Sequence, residues 1–269
     1  MSDVGSGAFE PWPEDAQVHV EWGPPGARLA GQRGDVVVIV DVLAFSTSVV
    51  LTTTRGGTAL SYSGAELDEM GGRAEAAARL KAEVVAKDRA ATTARFSLSP
   101  ASLSTITPGD RLIFTSLNGA ACTSAASAAP VVLIGSLSNA TATARAVGTI
   151  ISDGTAQRCT VVPCGERWTS VSSEPDSLRP SIEDLLGAGA IVSAISGLRL
   201  SAEAHLAAAA FEATASSISH ALRRCVSGRE LIERGFPDDV ELAAQVDSSG
   251  SVPRWDTRDP AREFRAGAR

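Results

Sequence analysis

The chain has 269 residues, a formal net charge of −7, 44% hydrophobic and 20% charged residues, and a pI near 5.1. That composition supports a buried core in a folded protein and argues against general disorder. The acidic balance leaves no basic stripe to neutralise phosphates, which excludes a nucleic-acid partner. No apolar run approaches the roughly 18 residues of a membrane helix, and the polar start, Met1 to Glu14, does not resemble a signal peptide. Four cysteines, Cys122, Cys159, Cys164 and Cys225, form no C-x-x-C pair and read as reduced thiols of a cytoplasmic protein.

In chain order, residues 1–16 read as a mobile tail rich in Gly, Pro and acid. Strand-like segments are expected near 17–22, 36–41, 58–62, 82–86, 111–115, 131–134 and 159–163. Helices are expected over 46–55, 65–80, 118–128, 138–152, 181–197 and 201–226. This alternation indicates a single α/β layered domain over 17–253, followed by a second mobile tail, 254–269.

The strongest signal is Val36-Val37-Val38-Ile39-Val40-Asp41. An unbroken β-branched run reads as a strand buried on both faces, and its terminal carboxylate falls where open α/β sheets bind ligands. Asp41 is a candidate for chemistry, with Ser46 and Thr47 supplying donors at the start of the next helix. A helix-capping role for Asp41 is equally consistent with its position. Two further elbows follow apolar strands, Thr115-Ser116-Leu117-Asn118-Gly119 and Gly135-Ser136-Leu137-Ser138-Asn139. Asn118 and Asn139 are read as ligand-facing amides and Gly119 as a point of close backbone approach. Neighbouring parallel strands would carry all three elbows to one rim.

Cys164-Gly165-Glu166 ends the last strand and brings Glu166 to the same rim. Cys164 as a nucleophile lacks a nearby base, so a buried inert thiol is the better reading. In Ser181-Ile182-Glu183-Asp184, an S-x-x-D pattern allows Asp184 to cap its helix or to hold a metal, and the two readings stay level. Gly187 and Gly189 inside that helix point to tight packing against another backbone. Asp238 and Asp239 follow Pro237, a good first residue of a short helix, and Asp239 is a further candidate ligand if that helix end faces the rim. Carboxylates with amides and hydroxyls, but no P-loop and no candidate histidine, suit Mg²⁺.

These segments, taken in order, resemble the 2-phosphosulfolactate phosphatases, the ComB family. The resemblance runs over about 17–253 and includes Phe96-Ser97-Leu98-Ser99-Pro100, Glu183 to Gly189, Gly228-Arg229-Glu230-Leu231 and Asp238 to Asp247. It implies a three-layer α/β/α fold with a mixed, largely parallel sheet, and a Mg²⁺-dependent phosphatase acting on 2-phosphosulfolactate or a related phosphorylated hydroxy acid. On this reading Asp41, Glu166 and Asp184 form the acidic core and, with Asp239, the metal ligands. Ser46, Thr47, Asn118, Gly119 and Asn139 contact substrate. Three departures stand out. The arginine usual after Asp-Val-Leu is replaced by Ala44-Phe45, the G-G-E-R loop by Ala86-Lys87-Asp88-Arg89, and a histidine by Ser227. Arg89 or Arg95 would have to supply the lost anion contact. A homodimer is allowed but not required. The alternative is a non-catalytic small-anion binding protein that kept the fold. A cysteine hydrolase centred on Cys164 is a third and weaker reading.

Overall fold

The computed structural model describes residues 15–90, 94–168, 177–260 and 262–267. The order begins β1 (Val18–Val20), α1 (Gly23–Gln32), β2 (Val36–Val40), α2 (Phe45–Thr54), β3 (Thr58–Ser61), α3 (Gly64–Glu69), α4 (Arg73–Leu80) and β4 (Glu83–Val84). It continues with β5 (Arg111–Phe114), α5 (Gly119–Ala125), β6 (Val131–Gly135), α6 (Ala140–Ser152), β7 (Cys159–Pro163), β8 (Glu166–Arg167) and β9 (Leu178–Arg179). Last come α7 (Ile182–Ser193), α8 (Ala202–Thr214), α9 (Ile218–Arg224), α10 (Val226–Glu233), α11 (Pro237–Ala243), β10 (Pro253–Asp256) and β11 (Glu263–Ala266).

Nine strands form one mixed sheet in the order β1-β7-β2-β6-β10-β11-β3-β5-β4, and β8 pairs with β9 separately. The expected three-layer α/β/α architecture is observed. On β2, Val36, Val38 and Val40 enter one core with Leu186, Ile191 and Ala207 of the helices on that face. Val37 and Ile39 enter the other, with Ala27, Phe45 and Ala120. Burial on both faces is why the run is continuously apolar rather than alternating.

The sheet holds two parallel blocks, β1-β7-β2-β6 and β3-β5-β4. The hairpin β10–β11 joins them through three successive antiparallel pairings. The second block therefore runs opposite to the first along the ladder. Arg254 to Asp256 and Glu263 to Ala266, which fall in the expected tail, supply this junction instead. Arg265 and Ala266 of β11 pair with β10, while Glu263 and Phe264 pair with β3. Charge hid the pattern: Trp255 and Phe264 are almost completely buried and pack edge to face at 6.1 Å, whereas their neighbours are arginines and acids. Arg262 reaches over the Tyr62 and Trp255 rings and pairs with Glu66. The expected N-terminal tail falls largely on residues 1–14, outside the described residues.

Other departures have local causes. The helix expected over 65–80 breaks at Gly71 and Gly72, both in the left-handed region with φ of 93° and 96°. The unexpected α1 begins with two prolines in its first turn, where a missing N–H costs nothing. The tight packing expected of α7 is real: a Cβ on Gly189 would lie 2.0 Å from the carbonyl oxygen of Ala207 in α8.

Phe264 is the apolar anchor of the hairpin, so Phe264→Ala is expected to cost about 3–5 kcal/mol of unfolding free energy. Chemical denaturation measures this; a loss below about 1 kcal/mol would make the hairpin peripheral.

Candidate active site

The chain leaves β2 at Asp41, crosses a cis peptide between Leu43 and Ala44, and enters α2. The Ser46 hydroxyl accepts a hydrogen bond from the Asp41 N–H (2.9 Å) and donates to the Ile39 carbonyl (3.2 Å). Thr47 donates to the Val42 carbonyl (2.8 Å) and meets the Ser136 hydroxyl (3.0 Å). Both hydroxyls are thus consumed in shaping the elbow, and the structure does not turn them towards a ligand. The Asp41 carboxylate accepts from the Phe45 N–H on Oδ1 (3.3 Å), and from the Ser116 hydroxyl (3.1 Å) and Gly119 N–H (3.0 Å) on Oδ2. Gly119 is demanded by this approach, since a Cβ there would lie 2.2 Å from the Phe45 ring.

The three elbows do not arrive as neighbouring parallel strands. β6 lies beside β2, but β5 belongs to the opposite-running block, and the loop after β5 brings Ser116 and Gly119 back to Asp41. At the β6 elbow, Asn139 is fully buried, accepts from the Ser136 N–H, and donates to the Ile134 and Ser251 carbonyls. Both N–H groups and the oxygen of that amide bond within the fold, and Asn139 is not part of the cleft lining. Asn118 is different: it lines the cleft and its amide donates to Glu166 Oε2 at 2.8 Å.

Asp184 also has another task than the one expected of it. Its Oδ1 accepts from the Val42 N–H (2.7 Å), and its Oδ2 from the Gly165 N–H (2.9 Å) and the Ser181 hydroxyl (2.8 Å). It ties the chain beyond β2 to the chain beyond β7, and, unlike Asp41, it is not part of the cleft lining. Asp239 is buried against Arg89, the Ser99 hydroxyl and the Ala101 N–H. That pairing locks the loop carrying Arg89 onto α11 rather than placing a ligand beside Asp41. Among the described residues, no group of three or more His, Cys, Asp or Glu is arranged to hold a metal ion. The expected four-carboxylate set therefore reduces to Asp41 and Glu166, the two of its members that line the cleft.

The cleft has a volume of about 620 Å³. Asp41, Ser116, Asn118 and Glu166 contribute to its lining, as do five cationic side chains, Lys87, Arg89, Arg167, Arg179 and Arg234. Among the described residues the only other acid lining it is Glu230, paired with Arg234 at 3.2 Å. In a chain of net charge −7, this is a local excess of positive charge around a carboxylate pair. Ser116 and Lys87 lie in segments the sequence singles out, the second elbow and the loop of Arg89, without a role of their own, and Arg179 carries no site signal; the three-dimensional convergence marks all three. Arg95 is remote, paired with Asp110 and Glu83.

Burial, followed by the charge of Asp41, pushes the Glu166 carboxyl up to about 7. Burial likewise raises Asp41 against three hydrogen bonds that favour its ionised form, and raises Asp184, where the charge of Asp41 adds to the effect. Glu183 is buried beside them with Oε2 unpartnered among the described residues, and its charge adds to the same field. The Cys164 thiol is raised by burial and by the neighbouring Cys122, the reverse of what a nucleophile requires, and no histidine lines the cleft.

A group whose folded pKa lies above its unfolded value loses stability as pH rises between the two. For Glu166 that window runs from its ordinary 4.5 to about 7. Metal-free Glu166→Gln is therefore expected to be more stable than the parent at pH 8 by about 3 kcal/mol, the difference vanishing near pH 4. Urea titrations at both pH values measure it; equal differences would contradict the buried, strained carboxylate. Asp184→Ala strips a partner from two buried N–H groups, at about 1–3 kcal/mol each, and is expected to destabilise the protein even in EDTA. An unchanged denaturation midpoint in EDTA would contradict the clamp.

No curated protein matches the chain at a significant level. The family model for 2-phosphosulpholactate phosphatase matches residues 25–258 of the 269, nearly the whole chain and all of the cleft-lining residues. The chain therefore belongs to the 2-phosphosulpholactate phosphatase family of phosphoric monoester hydrolases.

Proposed function

We propose that the cleft hydrolyses a small acidic phosphate monoester, 2-phosphosulfolactate or a related phosphorylated hydroxy acid, with Mg²⁺ held by Asp41 and Glu166. The observation that supports it is the carboxylate pair ringed by cationic side chains, within a chain of this family. Mg²⁺ commonly takes one or two carboxylates together with substrate phosphate and water. Burial raises the proton affinity of both carboxylates, with the charge of Asp41 adding to the effect at Glu166, and a divalent cation would relieve such a donor set. When bound, Mg²⁺ would neutralise charge on the phosphoryl oxygens.

The remaining chemistry belongs to the protein. Lys87 and the arginines of the rim draw in the anion and bind its acidic groups. Asn118 orients Glu166. Asp41, with three donors on its two oxygens, is held in place, and burial that resists its ionisation together with that hydrogen bonding blunts it as a nucleophile. Water is then the attacking group, and positioning with charge neutralisation carries the rate. The four buried free cysteines suit the cytoplasmic setting we propose, and no helix among the described residues is long and apolar enough to cross a membrane.

Phosphate release from 2-phosphosulfolactate and 2-phospholactate, with Mg²⁺ or with EDTA, tests the reading. Folded Asp41→Asn is expected to lose about a thousandfold in kcat/KM. Undiminished turnover would sink the assignment, and ligand-induced thermal stabilisation without phosphate release from the parent would favour the anion-binding alternative. Protons compete with the cation for Glu166, so Mg²⁺ affinity by calorimetry is expected to fall about tenfold from pH 8 to pH 6. A pH-independent affinity would remove Glu166 from the ligand set.

A further inference from the structure

The opening of the cleft is built for more than a compact phospho-acid. Its volume of about 620 Å³ lies in the range of sites that enclose drug-sized ligands. Eight large apolar side chains stand well exposed among the described residues, and three of them line this one mouth: Leu117 (61% exposed), Trp168 (42%) and Val226 (51%). Scattered exposed apolar residues need no explanation, but several around a concave polar site mark a ligand surface. Where the family resemblance puts an arginine, the cleft wall carries the methyl group of Ala44.

Trp168 does not stand alone. The Arg179 guanidinium lies 5.9 Å from the centre of its ring, and Arg179 is steadied by donating to the buried Ser227 hydroxyl at 3.2 Å. Indole and guanidinium together make a planar, polarisable wall with a positive edge. A compact hydroxy acid uses only the cation. A planar apolar group carrying an acid uses both.

We propose that this cleft takes phosphate monoesters whose leaving group is aryl, its ring packed on Trp168 between Leu117 and Val226. The inference rests on the phosphatase reading of the same site and names a substrate class for it. In the reaction, water attacks phosphorus, the bond from phosphorus to the aryl oxygen breaks, and its electron pair stays on that oxygen. A proton from the attacking water completes the phenol, and inorganic phosphate is the other product. A carboxylate on the ring would face Arg179.

The test compares 2-naphthyl phosphate with phenyl phosphate, which differ in planar area far more than in leaving-group basicity, and adds 2-phospholactate as the compact ester. With Mg²⁺, kcat/KM of the parent for the naphthyl ester is expected to exceed that for the phenyl ester about tenfold, mainly through KM. Trp168→Ala should bring that ratio to within about twofold, and Trp168→Phe should keep most of it. Because Trp168 is partly exposed, both variants are expected to fold. A parent ratio near one, or a ratio untouched by Trp168→Ala, overturns the proposal. Turnover of 2-phospholactate with neither aryl ester hydrolysed overturns it while leaving the phosphatase reading intact. Failure of all three esters overturns both.

Discussion

The Asp184 carboxylate receives N–H groups from Val42, 142 positions away, and from Gly165, 19 positions away. These two sites lie just beyond adjacent parallel strands, so one buried side chain determines how far apart their elbows stand. Asp41 immediately precedes the first contact and Glu166 immediately follows the second. The separation and direction of the two cleft carboxylates therefore depend on Asp184. Burying a charge is costly; donors on both oxygens offset part of that cost, and burial still raises the Asp184 carboxyl. Only a helix packed very close to the sheet brings Asp184 there. Gly187 lies where a Cβ would be 2.6 Å from the Val42 side chain, which is how α7 approaches that closely.

A second constraint is the joining of the two sheet blocks. Adjacent parallel strands β2 and β7 set the acidic elbows, while the loop after β5 must return across the molecule to bring Ser116, Asn118 and Gly119 against them. The β10–β11 hairpin closes the sheet between the blocks, and Phe45 stacked edge-on with Phe114 at 6.2 Å fastens α2 to β5. A hairpin far from the chemistry in sequence thus sets where one wall of the cleft stands. Charge completes the arrangement. Carboxylates that resist ionisation sit beneath a cationic rim, a pairing that favours anions bearing a phosphate able to share a cation with those carboxylates.

Much of this architecture is legible in the amino-acid sequence. The β-branched run ending at Asp41 signals its burial on both faces, the Asn118-Gly119 elbow its approach to the acidic elbows, and Gly187 with Gly189 a close helix contact. What residue order does not convey is which polar groups still have lone pairs or protons to offer. Ser46, Thr47 and Asn139 have the right chemistry at the right ends of strands, yet their partners are backbone atoms of the fold. Asp184 and Asp239 bond within the fold, away from the cleft lining, to partners up to 150 positions away. The C-terminal hairpin is obscured because arginines and acids flank its two buried aromatics, so a strand pattern reads as a solvated tail.

The most direct measurement is a crystal structure of the protein with Mg²⁺ and vanadate, a mimic of phosphate in transfer. The anion is expected in the cleft beside Asn118, with the cation touching both Asp41 and Glu166 and with Asp184 still bonded to Val42 and Gly165. Vanadate bound elsewhere, or a cation held by Asp184 in place of those N–H groups, would contradict the assignment of Asp41 and Glu166 as the metal-binding pair.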